Sequence, residues 1–185
     1  MSPDLRRILR RIKPDRRRKQ LIPRALDELI PASAVGGGRV TLVPDTNVYI
    51  HAAAGKLPEP AMLLLDRSLQ FHCSVCLSEL SAGIGAYSPA AKGWAVVRDH
   101  YADLFEAVPD SRVLSPDPEV WLLAGLVSGI LARTQGFAPT QRKECLNDAL
   151  ILLTAARAGL AVLTANRAEF DLIQQVAGQG VFIHY

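Results

Sequence analysis

From residue 40 onward the chain alternates between short apolar, β-branched runs and segments of helical periodicity, and this alternation leaves few folds open. Strand candidates fall at about 40–44, 70–74, 112–114, 160–164 and 181–184. Helix candidates fill the intervals, at about 46–53, 61–68, 75–86, 88–107, 118–134, 142–158 and 168–175. Pro118 suits a first helical turn and Gly159 closes the last long helix. Strands separated by helices pair in parallel, because each crossover carries a helix back across the sheet. The expected class is α/β, a central parallel sheet with helices on both faces. Ligands of such sheets bind beyond the carboxyl ends of the strands. Acidic residues placed just after strands therefore carry the functional question.

The first 39 residues read differently. Leu5, Ile8, Leu9 and Ile12 recur at helical spacing, with Arg6, Arg7, Arg10, Arg11 and Lys13 on the other faces. This predicts a short basic amphipathic helix ending near Pro14. A second short helix is expected around 24–30, and Gly36-Gly37-Gly38 reads as a joint. The boundary is drawn there: a basic helical extension over 1–39 and a main domain over 40–185. Charge follows the same division. Residues 1–39 hold 11 Lys and Arg against 4 Asp and Glu, whereas 40–185 hold 10 against 14. A basic arm on a mildly acidic body suggests a nucleic-acid or acidic partner.

No window has the roughly 18 uninterrupted apolar residues of a membrane span, and no long apolar run follows the basic N-terminus as in a secretory signal. Cys73, Cys76 and Cys145 make an odd count, which argues against a disulfide framework and fits a reducing cytoplasm. Cys73 and Cys76 form one C-x-x-C, but no second pair completes a tetrahedral zinc set. They read as small buried apolar residues. His51, His72, His100 and His184 are scattered and read as structural or surface residues.

Three acids stand in apolar surroundings. Asp45 follows the first strand, Glu79 lies one turn into the helix after the second, and Asp148 lies in Cys-Leu-Asn-Asp-Ala-Leu. Asn166 lies just past the 160–164 strand, with Glu169 three residues on. A buried, unpaired carboxylate costs several kcal/mol, so it shifts its pKa, finds a partner or binds a cation. No basic residue lies at helical contact distance from Glu79. A hard divalent cation, Mg²⁺ or Mn²⁺, would answer the repulsion of three gathered carboxylates. Each acid also has a plainer role. Asp45 could cap a helix, Asp148 or Asn147 could do the same, and Glu79 could be exposed.

The ordered blocks Leu42-Val43-Pro44-Asp45-Thr46-Asn47, Leu77-Ser78-Glu79-Leu80, Asn147-Asp148-Ala149-Leu150-Ile151 and Leu163-Thr164-Ala165-Asn166-Arg167-Ala168-Glu169-Phe170 resemble those of PIN domains, and most of all the VapC-like toxins of toxin–antitoxin pairs. The resemblance covers about 40–185. It implies a PIN-like three-layer sandwich whose acidic pocket binds Mg²⁺ or Mn²⁺ and hydrolyses RNA. It assigns Asp45, Glu79 and Asp148 as the acids that position the metal, with Asn166 in the fourth place, where the family often has Asp. An amide oxygen ligates without charge, so one metal suits the site better than two. Glu169 could supply the missing carboxylate, and Thr46 matches a hydroxyl beside the first acid. The implied partners are RNA and a small antitoxin, with a homodimer left open and no membrane.

VapC-like proteins usually begin near the first strand, so the extension departs from the pattern. It could bind RNA phosphates, dock on a partner or on the domain itself, or be dispensable. Trp94, Tyr101 and Phe105 could stack on bases but suit core packing better. Arg133, Arg142 and Lys143 precede Asp148 and could meet substrate phosphates. A second reading of the whole is a weak or inactive PIN-like module that binds nucleic acid or a protein through its basic arm.

Overall fold

A computed structural model describes residues 4–185. Five parallel strands form the central sheet. They are β1 (Ile30–Pro31), β2 (Val40–Pro44), β3 (Ser68–Gln70), β6 (Ala161–Thr164) and β7 (Val181–His184), in the order β1-β7-β6-β2-β3. A separate parallel pair joins β4 (His72–Cys73) to β5 (Val113–Leu114). Successive strand residues point to opposite faces, and both faces are apolar here. Val43, Val162 and Phe182 enter one core; Leu42, Leu163 and Ile183 enter the other. The first core is covered by α6 (Pro118–Gln135), α7 (Pro139–Arg157) and α8 (Arg167–Ala177), together with α4 (Ser74–Ala86). The second is covered by α3 (Glu59–Asp66), with Val48 of α2 (Thr46–Ala53). The expected three-layer arrangement of a parallel sheet between helices is the one found.

Several boundaries differ from expectation for local reasons. The 70–74 strand splits into β3 and β4: Phe71 N–H still bonds Leu42 C=O at 2.9 Å, and the next residues leave for β5. Helix α5 (Trp94–Glu106) starts six residues later than expected, because Gly93 adopts a left-handed φ of 94° that interrupts the turn after Ser88. Helix α7 begins earlier, at Pro139, where the Gln141 side chain accepts Ala138 N–H at 2.9 Å. Asn147 and Asp148 therefore lie inside α7 and cap nothing.

The N-terminal segment is packed on the body. In α1 (Leu5–Ile12), Asp4 caps the helix by accepting Arg7 N–H at 3.0 Å. Ile8 and Ile12 are buried in the main core, and Leu5 and Leu9 stay partly exposed, so half of the expected apolar face is used. No α-helix forms over 24–30. One 3-10 turn, Leu26–Glu28, precedes β1. Pro31 biases Ile30 toward extended backbone, and the free edge of β7 supplies the partner: Ile30 pairs with Ile183 and Pro31 with His184. Gly36–Gly38 is thus a bend between two strands of one sheet, not a break in packing.

Long-range polar contacts hold this segment. Asp171 of α8 is fully buried and receives Arg24 Nε at 2.6 Å, Arg24 N at 2.7 Å and Gln175 Nε2 at 2.9 Å. Arg17 donates to the carbonyls of Gln175 and Val176 at 3.1 and 3.2 Å, which places a cation on the C-terminal end of α8. The three cysteines are buried thiols. Among the described residues no helix is long and apolar enough to cross a membrane.

Candidate functional site

Strands β2 and β6 are neighbours, with Pro44 opposite Leu163, so the residues after them meet at one end of the sheet. Asp45 is 2% exposed. It caps α2 by accepting Thr46 N–H at 2.7 Å, as its plainer reading expected, and its other oxygen receives Thr164 Oγ1 at 2.8 Å and Asn47 Nδ2 at 3.1 Å. Glu79 reaches this group from α4. Its Oε2 receives Thr46 Oγ1 at 2.5 Å and its Oε1 receives Asn147 Nδ2 at 2.8 Å. Asp148, one residue further along α7, receives Asn166 Nδ2 at 2.8 Å, and the same amide nitrogen donates to Glu169 in the first turn of α8. Asn166 N–H in turn bonds Thr164 Oγ1 at 2.9 Å.

The acids from β2, α4, α7 and α8 are thus joined by one chain of hydroxyls and amides. Among the described residues none of Asp45, Glu79, Asp148 and Glu169 has an ion pair with Lys, Arg or His. The consequence is electrostatic. Burial pushes the Asp45 carboxyl up to about 6, against the pull of its bonds from Thr164, Thr46 and Asn47, and the charge of Glu79 raises it further. Asp148 is driven well above the ordinary carboxylate range by burial first, then by the charges of Asp45, Glu169 and Glu79. Beneath the site the Cys145 thiol is pushed up to about 12 by burial and by Glu169 and Asp148. Tyr185, whose hydroxyl lies 3.0 Å from His51 Nδ1, is also raised, by burial and by Asp45.

The donor set is that of a hard divalent cation: carboxylate oxygens, with no basic partner among the described residues. Among the described residues no three His, Cys, Asp or Glu side chains form a ready-made metal cage. Mg²⁺ keeps several waters and uses only one or two carboxylates, so the residues present fit it without such a cage. Asn166 turns its NH₂ group toward Asp148 and Glu169. In that orientation it serves the acids as a hydrogen-bond donor.

Thr164, Asn147 and Asn47 hold the acids in place; the sequence marks Asn147 only as a candidate helix cap and assigns Thr164 and Asn47 no role. Their only signal was position: Thr164 ends a strand two residues before Asn166, and Asn147 and Asn47 adjoin or nearly adjoin an acid. Arg133, Arg142 and Lys143 line a groove of about 550 Å³ between α6 and α7 and make no bond to the acids. Tyr101 is buried, and the Arg98 guanidinium covers Trp94 at 4.8 Å from the ring centroid, which favours packing over base stacking. His72 is bonded to the Tyr49 hydroxyl at 2.7 Å, and its proton affinity is lowered by burial.

Neither a protein-family model nor a curated protein matches the chain. Solved structures do. FitAcB from Neisseria gonorrhoeae aligns over 77% of this chain and 96% of its own, at 20% identity and a TM-score of 0.57. VapBC2 from Rickettsia felis, bound to a DNA fragment from its promoter, aligns over 79% and 99%, at 18% identity and a TM-score of 0.54. VapBC-5 from Mycobacterium tuberculosis, a member of the VapBC family of toxin–antitoxin systems, aligns over 79% and 99%, at 20% identity and a TM-score of 0.51. At this identity the likeness is one of fold, and it leaves about a fifth of this chain outside.

Proposed function

We propose that this chain is a Mg²⁺- or Mn²⁺-dependent endoribonuclease that hydrolyses RNA phosphodiester bonds and acts as the toxin of a toxin–antitoxin pair. The observation that carries the reading is the meeting of Asp45, Glu79, Asp148 and Glu169, from four separate elements, at the carboxyl ends of β2 and β6, with none of them in an ion pair among the described residues. Of Asp45, Glu79 and Asp148, one or two would hold the ion directly and the rest through its waters, with Glu169 beside Asn166 and the Asn166 amide as an uncharged fourth member. When bound, the ion lowers the pKa of a water and stabilises charge on phosphate oxygens.

The chain's own residues keep the acids oriented. Thr164 and Asn47 fix Asp45, Thr46 and Asn147 fix Glu79, and the Asn166 amide spans Asp148 and Glu169. Support for an antitoxin partner is the likeness in fold to toxin–antitoxin assemblies. Support for cytoplasmic action is the set of three unpaired thiols.

The test is a cleavage assay with single-stranded RNA and added Mg²⁺ or Mn²⁺, with chelator, Asp45→Asn and Asp148→Asn as controls. Loss of several kcal/mol of charge stabilisation predicts a fall of about a thousandfold in each variant. Cutting that survives both substitutions would sink the assignment. The donor role of Asn166 at a place where an acid is expected favours the second reading, a weak or inactive module that binds nucleic acid or a protein. That reading predicts RNA or protein binding with no metal-dependent cutting. A short neighbouring gene for a DNA-binding protein that co-purifies with this chain is the expected sign of the toxin role.

A further inference from the structure

The basic charge left over by the fold is arranged along a path. On α1, Arg6 and Arg10 lie opposite the buried Ile8 and Ile12 and point away from the body. Arg16 and Arg18 continue the exposed charge beyond Lys13. Arg133, near the end of α6, donates to the carbonyls of Pro14 and Arg17 at 3.3 and 2.9 Å, which ties this basic turn to α6. The same Arg133 lines the α6–α7 groove, whose far wall carries Arg142 and Lys143. Lys143 sits about 7.5 Å along the axis of α7 from Asp148 and about 140° around it, so a strand leaving the groove must cross over α7 to reach the acids. Of these residues none is in an ion pair among the described residues.

We propose that the arm and the α6–α7 groove form one cationic track that holds the backbone of single-stranded RNA as it leads into the acidic site; this rests on the endoribonuclease reading. Packed helix axes lie only about 8–10 Å apart, so a groove between them admits an extended strand and not a duplex. Among the described residues the groove lining has small residues (Gly125, Ser128, Gly129, Ala132) and no aromatic ring. Contact is therefore with phosphates rather than by base stacking, and binding has little sequence preference. An anionic membrane is a poorer fit. A helix that lies in a lipid interface needs its apolar face free, whereas Ile8 and Ile12 are committed to the core.

The experiment uses the full chain in chelator, with a fluorescent single-stranded RNA of about 20 nucleotides, enough to cover a typical single-strand site. Affinity is measured against salt. Two double variants probe the two ends of the track: Arg10→Gln with Arg16→Gln, and Arg142→Gln with Lys143→Gln. Each lost phosphate contact removes about 0.7 from the slope of log affinity against log salt, so each pair lowers the slope by about 1.4 and the affinity by about tenfold at physiological salt. All four sites are exposed, and unchanged melting temperatures confirm intact folds. An unchanged slope in either pair overturns the track. So does preference of the parent chain for phosphatidylserine vesicles over RNA. RNA binding with the full slope but no cutting in Mg²⁺ or Mn²⁺ overturns the nuclease reading and leaves the track standing. Metal-dependent cutting whose KM is unmoved by either pair does the reverse.

Discussion

Asp171 and Asp45 are both sealed from solvent, at 0% and 2% exposed, yet the molecule treats them in opposite ways. Asp171 is matched by the Arg24 guanidinium, and further donors fill its oxygens. Among the described residues Asp45 has only hydroxyl, amide and backbone donors, and three more carboxylates share its hydrogen-bond chain. A buried charge that is matched holds two distant parts of the chain together, because removing either partner strands the other. A buried charge left unmatched weakens the fold, and under the proposed function a cation would match it. The difference separates a carboxylate matched for stability from one left unmatched at the proposed site.

The largest expected effect breaks the matched pair. Arg24→Leu strands Asp171 and should cost about 3 kcal/mol, the low end for a buried pair because the guanidinium is a third exposed. The melting temperature should fall by about 6–12 °C. It should fall equally with and without Mg²⁺, and a loss that the ion repairs would contradict the contrast. Next comes Asn166→Asp, which deletes the amide donations to Asp148 and Glu169 and adds a carboxylate. The metal-free chain should melt several degrees lower, and Mg²⁺ or Mn²⁺ should restore more stability than it adds to the parent. A variant no more responsive to the ion than the parent would argue against a cation at this place.

A pH series sharpens the point. Asp45 carries a folded-state pKa of about 6 against an ordinary 3.8, so its contribution to stability is complete at low pH and lost as pH rises through about 6. The charged form at neutral pH therefore costs about 3 kcal/mol. Asp45→Asn keeps a capping side chain and removes the charge. In chelator at pH 7 it should melt above the parent, and its advantage should shrink by about 1 kcal/mol between pH 7 and 5.5. The difference between the two chains is the right measurement. His72 and His184, with proton affinity lowered by burial, lose stability as pH falls through the same window, and they cancel in the difference. An advantage independent of pH would refute the assignment of the burial cost to Asp45. The smallest effect is Thr164→Val, about 2 kcal/mol for two hydroxyl bonds, one given to Asp45 and one accepted from Asn166 N–H. It should raise the Asp45 carboxyl further, seen by NMR titration, because it removes a bond to the charged form.

Local pattern determined a good deal of this protein. The alternation of period-2 and period-3.6 segments specified a parallel sheet between helices, since an element's hydrophobic spacing is written in residues two to four apart. The places of Asp45 and Asn166 after strands, and of Glu79 and Asp148 on helices, could be read in the same way. Tertiary structure alone decided which elements adjoin. That Ile30 would extend the sheet at β7, that Arg24 would meet Asp171 across 147 residues and that Thr164 would meet Asp45 across 119 follow from strand order, which no short window of sequence contains. The physical reason is that a carboxylate's neighbours in space set its charge state, and most of those neighbours lie too far along the chain for any local rule to pair them.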